Sequence, residues 1–384
     1  MDLEFSDEQL ELRDSARAAL ARACPPRLVQ RMAASTEPGG AGELASELTW
    51  LGWPALTIDV DLGGLGRSFV ELAVVVEELG RSAAPGPFLA TMTQFAPVVR
   101  EAGTTAQAHR FLAGVAAGEL TGTLALHEGG RWDPSTVVAT AERDGDGWLL
   151  RGHKQHVLGA PDVDEVVVAA QRDTGTLGLF VVPAAELTFK RTTSLDPTRS
   201  LANVELNGVW VPDARMLGET GVDAGKPLGI ALAEATVGLT LDALGACDAL
   251  FASALEAARN GTAAHVGQAT GHSIADMLVA IETTRALTYQ AVSAVAEGDP
   301  SAAGTASSAK AAMGASQRLV TAASLDIHGH PADLDGRDLR LWVGRAKADD
   351  LLLGTATDHR RIVADHMLST RRARSSQLAA ALVR

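Results

Sequence analysis

The side chains best suited to chemistry near the C-terminus are the histidines His328, His330, His359 and His366. Imidazoles bind zinc or copper when several converge, but only His359 and His366 share a face of a predicted helix, and no carboxylate–histidine pattern completes a ligand set. The neighbouring Arg360-Arg361 pair could meet a phosphate or form a charged helix face. The pattern therefore predicts no metal site.

Two glycine-containing segments are further candidates. DDLLLGTATDHRRIVADHM (349–367) places Gly354 and Thr355 after three leucines, where glycine either lets the backbone approach a ligand closely or breaks a helix. DVDLGGLGR (59–67) lacks the strand–turn–helix context of a nucleotide loop, so it predicts a chain reversal.

Composition restricts the class of protein. The chain has 384 residues, of which 46% are hydrophobic and 21% charged, enough for two or three folded domains. A net charge of −14 argues against binding nucleic acid or an anionic membrane through long-range electrostatics. No leader pattern is evident, no apolar run approaches the length of a membrane span, and Cys24 and Cys247 fit a reducing compartment. We expect a cytoplasmic protein.

The order of elements predicts a multi-domain α+β chain. Ser6 and Gln9 form a capping-box pattern that opens a helix through about Ala23. From about residue 120, short β-branched runs alternate with turns, including the hairpin signal DGDG at 144–147. Alanine-rich helical stretches follow from about residue 226. We predict an all-α domain (1–119), an antiparallel β-domain (120–225) and a helical bundle (226–384).

Several segments resemble the acyl-CoA dehydrogenase family. VGQATGHSIADMLVAIETTRAL (266–287) is similar to its FQAxxHxLADM segment, and GVWVPDARMLGE (208–219) to its link between β-domain and bundle. Other matches follow in the expected order: LGWPALTIDVDLGGLG, VVVEELGRSAAP, DGDGWLLRGHKQHVLGA, SLDIHGH and GTATDHRRIVA. The resemblance implies an N-terminal helical domain, a middle β-barrel-like domain and a C-terminal four-helix bundle.

The resemblance also implies a reaction. Members oxidise an acyl-CoA thioester to its trans-2-enoyl form: a carboxylate removes the α-proton while hydride passes from the next carbon to flavin N5. They oligomerise through their bundles, bind FAD partly across a subunit interface and pass electrons to electron-transfer flavoprotein or a similar acceptor.

Both positions that carry the base in family members lack a carboxylate here. The residue before Gly-Thr is Leu353, and the alternative position on the first bundle helix, counted back from Gln268, is Ala231. Glu234 lies three residues further on and is either a weak candidate for a relocated base or an ordinary helix carboxylate.

Flavin contacts implied by the resemblance are partly retained. The arginine and phenylalanine of the family's RxQFG motif fall at Ala257 and Asn260, and its ring-side tryptophan and threonine at His156 and Leu158. Its TEP, GSD and QxxGG elements fall at His127-Glu128-Gly129, at Arg131-Trp132-Asp133, and at Asp326, Gly329 and His330. The residues we predict to contact cofactor are Arg259, Gln268, Gly329, Gly354 and Thr355.

Three hypotheses follow. The chain is the base-lacking subunit of a heteromeric α2β2 acyl-CoA dehydrogenase of actinobacterial type, acting on a sterol side chain or another bulky acyl-CoA. Alternatively, it is an autonomous homotetramer that uses Glu234, or a non-redox scaffold or acyl-CoA-binding module. A homologous subunit and an acyl-CoA are the expected partners.

Overall fold

The computed structural model describes residues 5–35, 42–130, 132–265, 267–329, 333–334 and 337–368. Its helices are α1 (Asp7–Ala23), α2 (Pro26–Ala34), α3 (Gly42–Trp50), α4 (Phe69–Arg81), α5 (Phe88–Ala90), α6 (Ala96–Ala102), α7 (Thr105–Ala116), α8 (Gly225–Arg259), α9 (Gln268–Ala296), α10 (Ala302–His328) and α11 (Leu339–Asp349). Residues 356–368 are also helical. The strands are β1 (Gly122–Ala125), β2 (Thr140–Asp144), β3 (Gly147–Leu158), β4 (Glu165–Arg172), β5 (Leu177–Pro183), β6 (Thr188–Arg191), β7 (Leu201–Pro212), β8 (Asp333–Leu334) and β9 (Arg337–Asp338).

The first helix begins as its capping pattern predicts. Ser6 Oγ accepts a hydrogen bond from the Gln9 backbone N–H at 3.3 Å, and the Gln9 side-chain oxygen accepts one from the Ser6 N–H at 3.1 Å. Each bond satisfies a donor that the helix leaves unpaired at its N-terminus. Local sequence therefore sets this boundary.

The middle domain holds a seven-stranded sheet whose path runs β1-β4-β2-β3-β7-β6, with β5 paired to β4. The predicted antiparallel pairing holds for β2–β3, β3–β7, β4–β5 and β6–β7, but the sheet is mixed, because β4 runs parallel to both β1 and β2. Asp164, just before β4, accepts hydrogen bonds from the backbone and hydroxyl of Thr121, just before β1, at 2.8 and 2.7 Å. These bonds hold the two strand starts side by side, a long-range pairing that hairpin signals do not encode.

Strand β4 is buried on both faces. Val166 and Val168 pack into the interior of the β-domain, whereas Val167 and Ala169 belong to the hydrophobic core that includes the helices. Because successive strand residues point to opposite faces, one apolar strand joins the two cores. The β-domain is thereby fixed against the helices that border the candidate site.

Helix α8 runs through the centre of the helical part, packing against α4, α6, α9, α10 and α11. Its approach to α4 requires glycine, since a Cβ on Gly245 would lie 1.8 Å from the Glu77 carbonyl oxygen. The helix contains an 18-residue window of mean hydropathy 1.5, so the expectation that no apolar run reaches span length is wrong. However, 89% of that window is buried inside the protein, as in a core helix.

Candidate functional site

A cleft of about 370 Å³ opens between the β-domain and the end of α11, and we call it the ring cleft. Its wall combines flat rings, hydroxyls, apolar side chains and two charged groups: His127, Gly130, Trp132, His156, Thr192, Thr193, Ser194, Leu195, Leu201, Lys347, Ala348, Leu351, Leu352, Thr355 and Asp358. This size and mixture suit a small organic ligand.

Aromatic rings form one side of the ring cleft. His127 stacks on Trp132 with ring centroids 4.5 Å apart and planes 16° apart, and the His127 and His156 rings are 5.4 Å apart. The loop that carries His127 and Trp132 is pinned by Glu128, which pairs with the buried ammonium of Lys154 and accepts the backbone N–H of Val138 and Ala139. The rings are therefore held on a fixed support.

Leu353 lies next to the ring cleft in an apolar cluster. The cluster, which we call the Leu353 cluster, contains Ala90, Leu158, Leu201, Ala235, Leu239, Leu352 and Leu353. Leu353 is 6% exposed, and a second cavity of about 230 Å³ borders it on the side of α8, α10 and helix 356–368. Trp132 lines both this cavity and the ring cleft.

Ala231, the α8 position counted back from Gln268, does not pack in the Leu353 cluster. Ala231 packs in the main hydrophobic core, whereas Ala235, one turn later on α8, packs in the Leu353 cluster. Counting back from Gln268 assumes a fixed length for the turn between α8 and α9, and an error there moves every position on α8 along the helix. In the structure, Ala235 and Leu239 of α8 belong to the Leu353 cluster, and Leu232 packs against it.

The Glu234 carboxylate is paired with an arginine and borders neither the ring cleft nor the second cavity. Its Oε2 accepts a hydrogen bond from Arg100 Nη2 of α6 at 2.6 Å, and the residue is 3% exposed. Burial raises the pKa of Glu234, and Arg100 opposes that effect. Consecutive helix residues are rotated by about 100°, so Glu234 leaves the face on which Ala235 packs in the Leu353 cluster. The structure gives this carboxylate an ion-pair role away from both cavities.

Gly354 and Thr355 have local structural roles as well as a place at the site. Gly354 has φ +104°, and a Cβ there would lie 3.2 Å from His359 Nε2. Thr355 caps helix 356–368, since its hydroxyl and backbone N–H donate to Asp358 Oδ2 at 2.7 and 3.0 Å. The T-x-x-D spacing signals this cap in the sequence. Thr355 still lines the ring cleft, and Gly354 the second cavity.

The other three predicted cofactor residues lie at the far end of the bundle. Arg259 is exposed in the last turn of α8, and Gln268 is exposed at the start of α9. Gly329 ends α10 with φ +70°, and its Cβ would lie 2.4 Å from that of Ala264 in the α8–α9 turn. From Ala235 to Arg259 the helix rises about 36 Å at about 1.5 Å per residue. The predicted cofactor residues thus form two separate groups.

A cluster of buried charges, which we call the charged cluster, lies behind the Leu353 cluster. Its members are Asp196, Arg199, Asp242, Lys310, Arg345 and Asp349. Arg345 donates to both Asp242 oxygens, at 2.6 and 3.0 Å, and Arg199 pairs with Asp242 and Asp349. The segment SLDPTRS (194–200) supplies Asp196 and Arg199. The structure shows that it ties the β-domain to α8 and α11.

Among the residues that the structure describes, no group of three or more His, Cys, Asp or Glu could hold a metal ion. His328 Nε2 lies 3.3 Å from Ser253 Oγ, and His359 bonds Leu353 and Ser307. Arg131 and His330 lie outside the described residues.

The three-part fold, with a ring cleft between β-domain and bundle, defines an acyl-CoA dehydrogenase-type architecture. Residues 6–119 match the family described as acyl-CoA dehydrogenase, N-terminal domain, and residues 231–368 match acyl-CoA dehydrogenase, C-terminal domain. The chain belongs to the acyl-CoA dehydrogenase family, FAD-dependent oxidoreductases that act on CH–CH groups.

Individual relatives agree with this assignment. The chain is 27% identical over 350 residues to the mitochondrial short-chain specific acyl-CoA dehydrogenase of Bos taurus, covering 84% of this chain and 81% of that protein. The ChsE4-ChsE5 complex from Mycobacterium tuberculosis matches with TM-score 0.84 and 22% identity over 96% of this chain and 99% of that chain. The Tcur3481-Tcur3483 steroid ACAD variant matches with TM-score 0.84 and 26% identity over 95% and 99%.

The described residues fit a flavin in two places. The ring cleft offers flat walls, hydroxyls and imidazoles to a heteroaromatic ring. The far group offers an exposed amide, an exposed guanidinium and a left-handed glycine turn, groups that suit the polar end of a dinucleotide.

Proposed function

We propose that this chain is the base-lacking subunit of a FAD-dependent heteromeric acyl-CoA dehydrogenase that forms a trans-2-enoyl-CoA. One observation carries the proposal: Leu353, which stands where the resemblance puts the base, is packed inside an apolar cluster with Ala235 and Leu239 of α8. None of these side chains can take a proton, and Glu234 is bonded to Arg100 instead. A homologous partner subunit would supply the carboxylate.

The two separated cofactor groups support a shared site. A distance of about 36 Å along α8 exceeds the length of an extended FAD, so one flavin cannot reach both groups of the same subunit. A flavin whose ring lies in the partner's cleft can still place its nucleotide end against Arg259, Gln268 and Gly329 of this chain. We infer an α2β2 assembly in which this chain completes the partner's FAD site.

When bound, FAD accepts the hydride that leaves the acyl chain as the α-proton is lost. This chain would contribute binding rather than proton transfer: the exposed Gln268 amide and Arg259 guanidinium hydrogen-bond the nucleotide end. Positioning a cofactor in this way is a genuine contribution to rate, because the reacting atoms must be held in line.

We infer a bulky acyl-CoA, such as a sterol side-chain thioester, as the substrate of the complex. The support is the likeness to a solved steroid ACAD and to the ChsE4-ChsE5 complex, which is itself heteromeric. The cytoplasmic location, the domain boundaries and the acceptor flavoprotein stay predictions.

Co-expression with a homologous subunit that retains the glutamate tests the proposal. We expect a yellow, active complex, and a colourless or insoluble product when this chain is expressed alone. Replacing the partner's glutamate with glutamine should abolish turnover while flavin absorbance stays. A yellow, active homotetramer of this chain alone would refute the proposal, and a complex without flavin contacts to this chain would favour a scaffold.

A further inference from the structure

The hydrogen-bond directions around His127 fix where its proton lies. Its Nε2 is 3.0 Å from the carbonyl oxygen of Gly130. A carbonyl oxygen can only accept, so Nε2 carries the hydrogen. In a neutral imidazole the other nitrogen is then a lone-pair acceptor, and this nitrogen, Nδ1, faces the neighbouring His156.

His156 must therefore be the donor in the next contact. Its Nδ1 lies 3.4 Å from Nδ1 of His127, and two lone pairs cannot bond each other. Nδ1 of His156 carries the hydrogen, which leaves Nε2 as an acceptor. Nε2 has no hydrogen-bond partner among the described residues, and the ring lines the ring cleft.

The backbone of His156 is held in an unusual conformation. Its φ is +53°, a left-handed region that few residues other than glycine adopt, and its N–H donates to Asn203 Oδ1 at 3.2 Å. Such outliers concentrate at ligand sites. Burial, and then His127, lower the pKa of His156, so its ring stays neutral at physiological pH. The acceptor lone pair is consequently present where a ligand would meet it.

We propose that His156, with its tautomer set by His127, makes the ring cleft specific for a flat heteroaromatic ring that donates an N–H. Trp132 and the stacked His127 supply a planar wall. Nε2 of His156 accepts a hydrogen bond from the N–H at the edge of the bound ring. Two biological rings share this chemistry: the flavin ring through N3–H, and adenine through its exocyclic amine. The inference concerns this chain's own cleft and does not depend on which subunit supplies the base.

Methylated ligands test the donor requirement directly. Calorimetric titration of the full complex would compare lumiflavin with 3-methyl-lumiflavin, and 9-methyladenine with N6,N6,9-trimethyladenine. We expect methylation to weaken binding of the preferred ring about tenfold, the value of one buried hydrogen bond. The ligand pair whose binding is weakened by methylation identifies the ring, flavin or adenine, that the ring cleft prefers.

Variants separate this hydrogen bond from steric fit. His156→Asn keeps a residue that tolerates positive φ but withdraws the ring nitrogen, and it should remove the difference between methylated and unmethylated ligands. His153→Asn, the same change at a half-buried position of β3 outside the ring cleft, should preserve it. An equal methylation penalty in wild type and His156→Asn, or no binding of any of the four rings, would overturn the inference. Either result leaves the heteromer proposal intact, because that proposal is tested separately by replacing the partner's glutamate with glutamine.

Discussion

His359 Nε2 and the carbonyl oxygen of Leu353 are 3.0 Å apart. The carbonyl can only accept, so Nε2 donates, and the other ring nitrogen accepts from Ser307 Oγ at 3.1 Å. This pair of bonds holds Leu353 at φ +58°, a left-handed conformation that costs a leucine about 1–2 kcal/mol. The turn at the base position is thus maintained by a buried neutral imidazole.

This arrangement predicts a loss of stability in acid. Burial, and then Lys310, lower the pKa of His359 from 6.5 to about 4. Protonation therefore favours the unfolded chain: the full stability is present above pH 6.5 and falls as pH drops toward about 4. The total loss in unfolding free energy between these two pH values is about 3 kcal/mol. Denaturant unfolding at several pH values should show that the unfolding free energy of wild type falls as pH drops. Most of this pH dependence should be absent in His359→Gln.

A half-buried histidine of β3 provides the control for that experiment. His153→Gln should leave the acid slope unchanged, because His153 is about one-third exposed on β3 and holds only a 3.7 Å contact to Glu205. An identical slope in His359→Gln and wild type would contradict the assignment.

A carboxylate at position 353 should not be tolerated by the Leu353 cluster. Leu353→Glu places an ionisable group at a position that is 6% exposed and packed in the Leu353 cluster, and we expect a loss of about 3 kcal/mol in unfolding free energy at neutral pH. Leu351→Glu makes the same change two residues earlier at a side chain that is 63% exposed, and it should cost under about 0.5 kcal/mol. Equal losses would mean that the cluster is not a packed core.

What the sequence could reveal depended on how local each feature is. The capping box of α1 was predictable because Ser6 and Gln9 lie within one turn. The family motifs likewise identify the three-part order of helices, β-domain and bundle. The parallel pairing of β1 with β4 was missed, because it joins strands that are distant in sequence.

The site was predictable only in part for the same reason. Position 353 follows directly from the adjacent Gly-Thr motif. The position on α8 required a count across a turn of unknown length, and the structure packs Ala235 rather than Ala231 in the Leu353 cluster. The His127–His156 contact joins a loop to a strand, so no spacing rule contains it.

Glu234→Gln tests the relocated-base hypothesis. The carboxylate is bonded to Arg100 and borders neither cavity, so turnover of the complex should stay within about twofold of wild type. Loss of a general base would lower turnover by about 100- to 10,000-fold. Glu101→Gln, which changes the other carboxylate paired with Arg100, is the matched control. A collapse of turnover in Glu234→Gln alone, with flavin retained, would support the autonomous enzyme.

Gln268→Ala tests the contribution to a shared FAD. The side chain is exposed at the start of α9, so its loss should leave the unfolding free energy within about 0.5 kcal/mol of wild type. We expect about tenfold weaker FAD retention, the value of one hydrogen bond to a charged group. Flavin absorbance after dialysis of the complex measures it. Gln290→Ala provides a matched control at another exposed amide of α9, and equal retention in both variants would count against the shared site.

Removing one charge from the charged cluster should be severe. Arg345 is 1% exposed and donates to both oxygens of Asp242, and burial would raise the pKa of Asp242 if Arg199 and Arg345 did not hold it below its usual value. Arg345→Met leaves part of the Asp242 charge buried without a partner. We expect it to lower the unfolding free energy by about 3–5 kcal/mol. Arg340→Met breaks a pair in which the arginine side chain is 71% exposed, and should cost under about 1 kcal/mol.

The double variant decides whether the charge or the shape matters. Asp242→Asn combined with Arg345→Met removes the stranded anion, although it leaves Arg199 with one carboxylate fewer. If uncompensated charge causes the loss, the double variant should be more stable than Arg345→Met alone, as measured by chemical unfolding. If the two losses simply add, the cluster acts through packing. The link between β-domain and bundle would then owe little to electrostatics.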